Sequence, residues 1–242
     1  MVEPARPSGV RINAHDARIL GDHVGVFRMT TYEALRRVYW PDGEIDAAKS
    51  WVRRMKSAGY LRGAPLYGNV RYFYPSHQAV TEFRLEPGAQ GFQRPTRLAE
   101  VYGRLAFCCL GERPYRLLSP SVFCQEFPEL VIGKKIPEGY YLDDSASRRR
   151  LGYIFVDTRR EPRAIRARLK DLISERIGNE AWKHNLIRPR LFLFAIVTIR
   201  ERAAKQIARY LDGLHPEIEF RFAHFPELGE LLPTERGNAS QA

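Results

Sequence analysis

Apolar side chains recur at helical spacing near the start of the chain. Ala17, Ile19, Leu20, Val24 and Phe27 predict a first helix over 15–27. Thr30 or Thr31 suits the N-cap of a second helix over 32–39, and Trp40-Pro41-Asp42-Gly43 ends it. A third helix is predicted over 44–57, with Ile45, Ala48, Val52 and Met55 as its apolar face and Gly59 as its left-handed stop. Residues 60–62 and 65–74 then read as extended segments with a Gly68-Asn69 turn, the signal of a hairpin. A short helix over 76–84 follows. Three helices and a hairpin, in that order, are the elements of a winged helix-turn-helix.

The pattern changes after residue 85. Residues 86–95 carry two Pro and two Gly and read as a linker. Next come a helix over 96–109 and short extended segments near 115–118, 139–142 and 151–157. A basic helix over 162–177 is stopped by Gly178-Asn179. A short helix over 180–186, a strand over 191–199, a helix over 201–211 and a strand over 218–222 complete the order. The apolar run from Leu191 to Val197 is unbroken, as expected of a parallel strand buried on both faces. The expected fold class is α+β, with a winged helix-turn-helix over 14–85 and an α/β domain over 96–232. Residues 1–13 read as a flexible lead-in and 233–242 as a polar tail.

With 44% hydrophobic and 12% aromatic residues the chain can build real cores, which excludes a disordered protein. Its 39 Lys and Arg against 28 Asp and Glu leave a net charge of +11. That balance favours a polyanion, either nucleic acid or an anionic membrane surface. The membrane option has no anchor, because the longest apolar run is about half a membrane span. Residues 1–20 also lack an uninterrupted apolar stretch after a basic start, so no secretory leader is expected. Cys108, Cys109 and Cys124 have no zinc spacing and cannot all pair, and the six histidines form no ligand-spaced cluster. No metal or other cofactor is expected, and a reduced, cytoplasmic setting fits.

The placement of charge narrows the reading. On the third helix Lys49, Arg53 and Lys56 lie opposite the apolar face, beside Ser50, Arg54 and Ser57. Such a helix fits the major groove, where Arg reads a guanine edge and Lys or Ser holds phosphate. Arg62 and Arg71 would set the hairpin along the DNA backbone or in the minor groove. A merely solvated helix face is the alternative. Residues 148–209 hold 17 Lys and Arg against 6 Asp and Glu, an excess equal to the whole net charge. Arg148, Arg149 and Arg150 fall at a hairpin tip, while Arg159, Arg160, Arg163, Arg166 and Arg168 crowd the start of the basic helix. Cations there oppose the helix dipole, a conflict that a bound phosphate relieves. An acidic partner protein is the alternative occupant.

The stretch WVRRMKSAGYL at 51–61, a hairpin ending in RYFYPSHQAV at 71–80, and a following α/β half together resemble the replication-relaxation family of plasmid and integrative-element proteins. The resemblance implies a regulator that binds double-stranded DNA, or an accessory to the replication or transfer of a mobile element. The element's replication or transfer proteins would be its partners. A homodimer is the default for such regulators, because a two-fold protein matches a palindromic site. The second half also looks like a PD-(D/E)xK nuclease core. Pro137-Glu138 would then supply the first acid, and Asp157-Thr158-Arg159 the acid-x-Lys motif. Two carboxylates there would hold Mg²⁺ against the attacked phosphate. Arg159 replaces the lysine and stays protonated, and Glu138 replaces the usual Asp. The resemblance therefore implies a folded but inactive core. Turn and strand-end roles for Glu138 and Asp157 are an equal alternative. A metal-dependent nuclease and a DNA-tethered adaptor that recruits a partner protein are the competing functions.

Overall fold

Two helix stops and one turn residue divide the first part of the chain as the periodicity predicts. The computed structural model describes residues 11–86, 88–91, 94–133, 138–145, 147–158, 162–211 and 215–232. The lead-in is thus described only from Arg11, and the tail lies outside the described residues. The chain divides into two units, Met1–Gln93 with Glu112–Pro114, and Arg94–Gly111 with Tyr115–Ala242. The protein is α+β, with one two-stranded and one five-stranded sheet.

In the first unit α1 (Ala14–Arg18) begins on a capping box. The Asn13 side chain accepts from Asp16 N–H, and the Asp16 carboxylate accepts from Asn13 N–H. The helix continues through a π-turn over Ile19–Gly25, a widening that apolar spacing does not announce. α2 (Tyr32–Tyr39) starts on Thr31, whose hydroxyl accepts from Ala34 N–H at 3.2 Å. α3 (Ile45–Ser57) ends before Gly59, which takes φ 82°. Tyr60 N–H donates to Met55 O and Gly59 N–H to Lys56 O, both at 3.0 Å, so the orphan carbonyls of the last turn are satisfied. β1 (Leu61–Tyr67) and β2 (Val70–Pro75) pair antiparallel around Gly68-Asn69, where Gly68 takes φ 47°. α4 (His77–Glu82) follows on a Ser76 cap.

Ile19, Leu20, Val24, Leu35, Val52, Met55 and Phe73 form the centre of this unit's core. Two features there have no local signal. Thr30 and Phe73 exchange backbone hydrogen bonds of 2.8 Å each, so the α1–α2 connection pairs with β2. His23 is buried with its Nε2 2.8 Å from the Thr30 hydroxyl, and burial pushes its pKa down to about 3.

The second unit opens with α5 (Pro95–Leu105), extended by a π-turn over Ala106–Leu110. β3 (Arg116–Leu117), α6 (Pro120–Glu126), β4 (Tyr140–Asp143) and β5 (Arg150–Val156) follow. Then come α7 (Pro162–Ile177), α8 (Glu180–Trp182) with a π-turn over Lys183–Ile187, and β6 (Phe192–Thr198). α9 (Glu201–Leu211), β7 (Glu219–His224) and α10 (Leu228–Leu231) complete the unit. α6 escapes the periodic reading because it is only about two turns long. Its start was nevertheless written in Ser119-Pro120, a cap followed by a first-turn proline.

The five strands lie in chain order. β3, β4 and β5 run antiparallel, and β5, β6 and β7 run parallel. β6 is buried along its whole length between two parallel neighbours, as its apolar run predicts. Tyr153, Phe155, Phe194 and Ile196 share one sheet face with Ile165, Leu169 and Ile173 of α7 and Ile207 of α9. The other face meets α5 at close range, where a Cβ on Gly103 would stand 2.6 Å from Val156 Cγ1. On that same face the ring of Tyr141 lies over its cross-strand partner Gly152, leaving only 2.1 Å for any added Cβ. Cys108 and Cys109 are buried, and burial raises both thiols above their ordinary range. Among the described residues no helix is long and apolar enough to cross a membrane.

Candidate nucleic-acid interface

α3 turns Ala48, Trp51, Val52 and Met55 into the core. The 3.6-residue period then leaves Lys49, Ser50, Arg53 and Lys56 exposed on the opposite side. Lys49 reaches back to Asp46 at 2.9 Å, an exposed pair of little energetic weight. Among the described residues no carboxylate pairs with Arg53 or Lys56.

Arg54 has a different partner. Its Nη1 donates to Asp16 Oδ2 at 2.7 Å and its Nη2 to Asp16 Oδ1, while Trp51 Nε1 donates to Oδ1 at 3.0 Å. Burial alone would raise the Asp16 carboxyl, but the bonds from Arg54, Asn13 and Trp51 outweigh it and hold its pKa below the ordinary value. Arg54 therefore joins α3 to α1, and its guanidinium is committed before any ligand arrives.

The hairpin separates the two arginines assigned to it. Arg62 lies opposite Tyr74 and Arg71 opposite Pro65 in one regular stretch of register. Three positions apart, they fall on opposite faces of the ribbon. Both are exposed. Arg71 lies next to the turn and donates weakly to Gly63 O at 3.4 Å.

In the second unit Glu138 is held by two arginines from α5. Arg97 Nη2 donates to Glu138 Oε2, and Arg104 Nη1 donates to the same oxygen at 2.9 Å. Neither arginine was singled out from the sequence, although their spacing of seven puts them on one helix face. Asp157 is buried at the end of β5, where its N–H donates to Val197 O at 2.8 Å. Pro137, Arg159, Arg160 and the side chain of Arg163 lie outside the described residues. Among the described residues no three His, Cys, Asp or Glu side chains gather where they could share a metal ion.

The basic run of the β4–β5 loop is only partly available. Arg148 is exposed, and Arg149 pairs with Asp144 at 2.7 Å in the open. Arg150 is drawn into the fold, donating to Asp143 and Glu219 at 2.7 Å each. Asp143 also accepts from Ser145 and faces Arg221 at 2.9 Å. Burial opposes ionisation of Asp143, yet Ser145, Arg221 and Arg150 together bring its pKa down to about 2. Arg166 of α7 lies 5.1 Å from the Tyr210 ring centroid. Arg176 is buried among Tyr140, Tyr153, Trp182 and Phe192, with its nearest ring centroid, that of Tyr153, at 4.6 Å.

No family model, curated protein or solved structure matches the chain.

Proposed function

We propose that the first unit is a winged helix-turn-helix that binds double-stranded DNA, with α3 as the helix that enters the major groove. The protein would serve as a regulator, or as a replication or transfer accessory, of a mobile genetic element. α3 carries the reading: one side is fully engaged in the core, and the other presents Lys49, Ser50, Arg53 and Lys56 to solvent. The Thr30–Phe73 pairing supports it, because it fastens the hairpin to the helices that precede it. The mobile-element setting rests on the family resemblance of residues 51–61 and 71–80.

A binding titration and footprint on a selected duplex test this. Arg53→Ala should cost about 1–3 kcal/mol of specific affinity, roughly 5- to 150-fold, and relax the preference at one base pair. Unchanged affinity together with unchanged preference would remove α3 as the reader.

The second unit reads as a nuclease-like scaffold that holds DNA without cutting it. Apart from α6, inserted between β3 and β4, the succession of helix, three antiparallel-paired strands, helix and parallel strand supports this reading. The metal site does not fit, because Glu138 already serves two guanidinium groups and an arginine stands at the lysine position. Supercoiled plasmid DNA should stay intact with Mg²⁺ or Mn²⁺. Nicking that disappears in Asp157→Ala would make the protein an enzyme instead.

A further inference from the structure

α7 and α9 lie side by side on one face of the five-stranded sheet. Ile165, Leu169 and Ile173 of α7 share a core cluster with Ile207 and Leu211 of α9, and Arg166 of α7 stands over the Tyr210 ring of α9 at 5.1 Å. That contact fixes which sides of the two helices face each other. At about 100° per residue, Lys170 falls with Arg166 on the α9 side of α7. Arg202, Gln206 and Arg209 lie on α9 opposite its buried Ala204, Ile207 and Leu211. Lys170, Arg202 and Arg209 are exposed, and Arg166, Gln206 and Tyr210 are partly so.

The carboxylates of the two helices fall outside the groove between them. Helical period puts Asp171 and Glu175 on the far side of α7, and Glu201 on the far side of α9, where Lys205 holds it at 2.8 Å. Among the described residues no carboxylate pairs with Arg166, Lys170, Arg202 or Arg209, and the Arg166 Nε is buried without a hydrogen-bond partner. Arg104, Arg150 and Arg221 of the same unit are by contrast each held by an acid.

We propose, resting on the reading of the second unit as one that holds DNA, that the groove between α7 and α9 is the surface by which it grips the phosphate backbone of a duplex. Seven residues of helix set Arg202 and Arg209 about 10 Å apart along α9. Packed helices stand about 8–10 Å apart, so Arg166 and Lys170 form a second row at similar range. A single phosphate is too small to span both rows, whereas a duplex offers phosphates on either side of grooves about 6 Å and 12 Å wide. The centre of the face is charged, and the centre of a protein–protein interface is depleted of charge, so a polyanion fits better than a protein.

Fluorescence anisotropy of the full chain on a labelled random-sequence duplex, repeated over a range of salt, tests the groove. Arg202→Ala/Arg209→Ala should lower the log–log salt slope by about two units. Arg148→Ala/Arg168→Ala removes the same charge outside the groove, since Arg148 lies in the β4–β5 loop and Arg168 stands over the Phe155 ring on the far side of α7. That pair should leave the slope nearly unchanged. A slope lost through the Arg148/Arg168 pair alone would move DNA to another face of this unit, so the proposal falls while the DNA-holding reading stands. Equal losses from both pairs would show net charge acting without a defined surface, which also overturns it. A slope unchanged in both would end the reading together with the proposal and leave the groove to an acidic protein.

Discussion

Arg54 closes on both oxygens of Asp16, thirty-eight residues away in the chain, and so ties the third helix of the first unit to the first. One arginine earlier, Arg53 points to solvent. Adjacent residues of the same type thus have opposite fates. The Arg54 side chain is 39% exposed, so solvent screens part of the pair's worth. Arg54→Ala should lower the stability of this unit by about 1–2 kcal/mol, while Arg53→Ala should leave stability alone and weaken DNA binding. Thermal melts beside binding titrations check it. An Arg54→Ala protein of unchanged melting temperature but weaker binding would make Arg54 a DNA contact.

Acid should loosen the first unit before its carboxylates begin to matter. His23 is neutral in the fold because burial holds its pKa at about 3, whereas the unfolded chain protonates near the ordinary 6.5. The unfolded state then binds the extra proton, so stability is complete above about pH 6.5 and falls below it by roughly 1.4 kcal/mol per pH unit. Asp16 acts lower, since its folded pKa is depressed below the ordinary value of 3.8, and its contribution is lost as pH falls through that range. His23→Gln should flatten the decline between about pH 6.5 and 4. Denaturation midpoints followed by Trp40 and Trp51 fluorescence in a Trp182→Phe background over this window decide the matter, and an unchanged slope would mean another group titrates.

Only one hairpin arginine should touch the phosphate backbone in a given docking pose, because register puts Arg62 and Arg71 on opposite faces. Arg71 lies beside the turn. Arg71→Ala should reduce the log–log salt slope of binding by about one unit across all sequences, and Arg62→Ala should not. Equal slopes for both variants and the parent would place the hairpin away from DNA.

Arg176 should prove dispensable for stability, although its partner is not. Its guanidinium is buried and donates to Leu172 O at 2.6 Å and to the Tyr140 hydroxyl at 2.8 Å. Burial keeps the Tyr140 phenol neutral by raising its pKa to about 12. Aromatic rings offset only part of the cost of burying a charge. Arg176→Met should therefore leave stability level or raise it. Tyr140→Phe should cost about 1–3 kcal/mol in the parent and little in the Arg176→Met background. Denaturant titration of the four proteins closes the cycle, and equal costs in both backgrounds would deny the coupling.

What the chain states locally was legible. Thr31 capping α2, Gly59 closing α3, Gly68-Asn69 turning the hairpin, and Gly178 after α7 are each set within a turn of the boundary. The unbroken apolar run of β6 announced a strand buried on both faces for the same reason. Caps, left-handed glycines and side-chain period are short-range effects, and a sequence displays them in order. The fate of the charges was not legible. Arg54 meets Asp16, Glu138 meets Arg97 and Arg104, and Arg150 meets Asp143 and Glu219, the last sixty-nine residues off. A charged side chain reads the same in a list whether it faces water or a buried carboxylate. The pairing of Thr30 with Phe73 and the opposite faces of Arg62 and Arg71 depend on register, and register is fixed by which apolar faces pack together. Local residues therefore determined where helices and strands begin and end. Only the packing of distant segments decided which arginines hold the fold together and which are left to solvent, because desolvation and partner distance exist only once those segments meet.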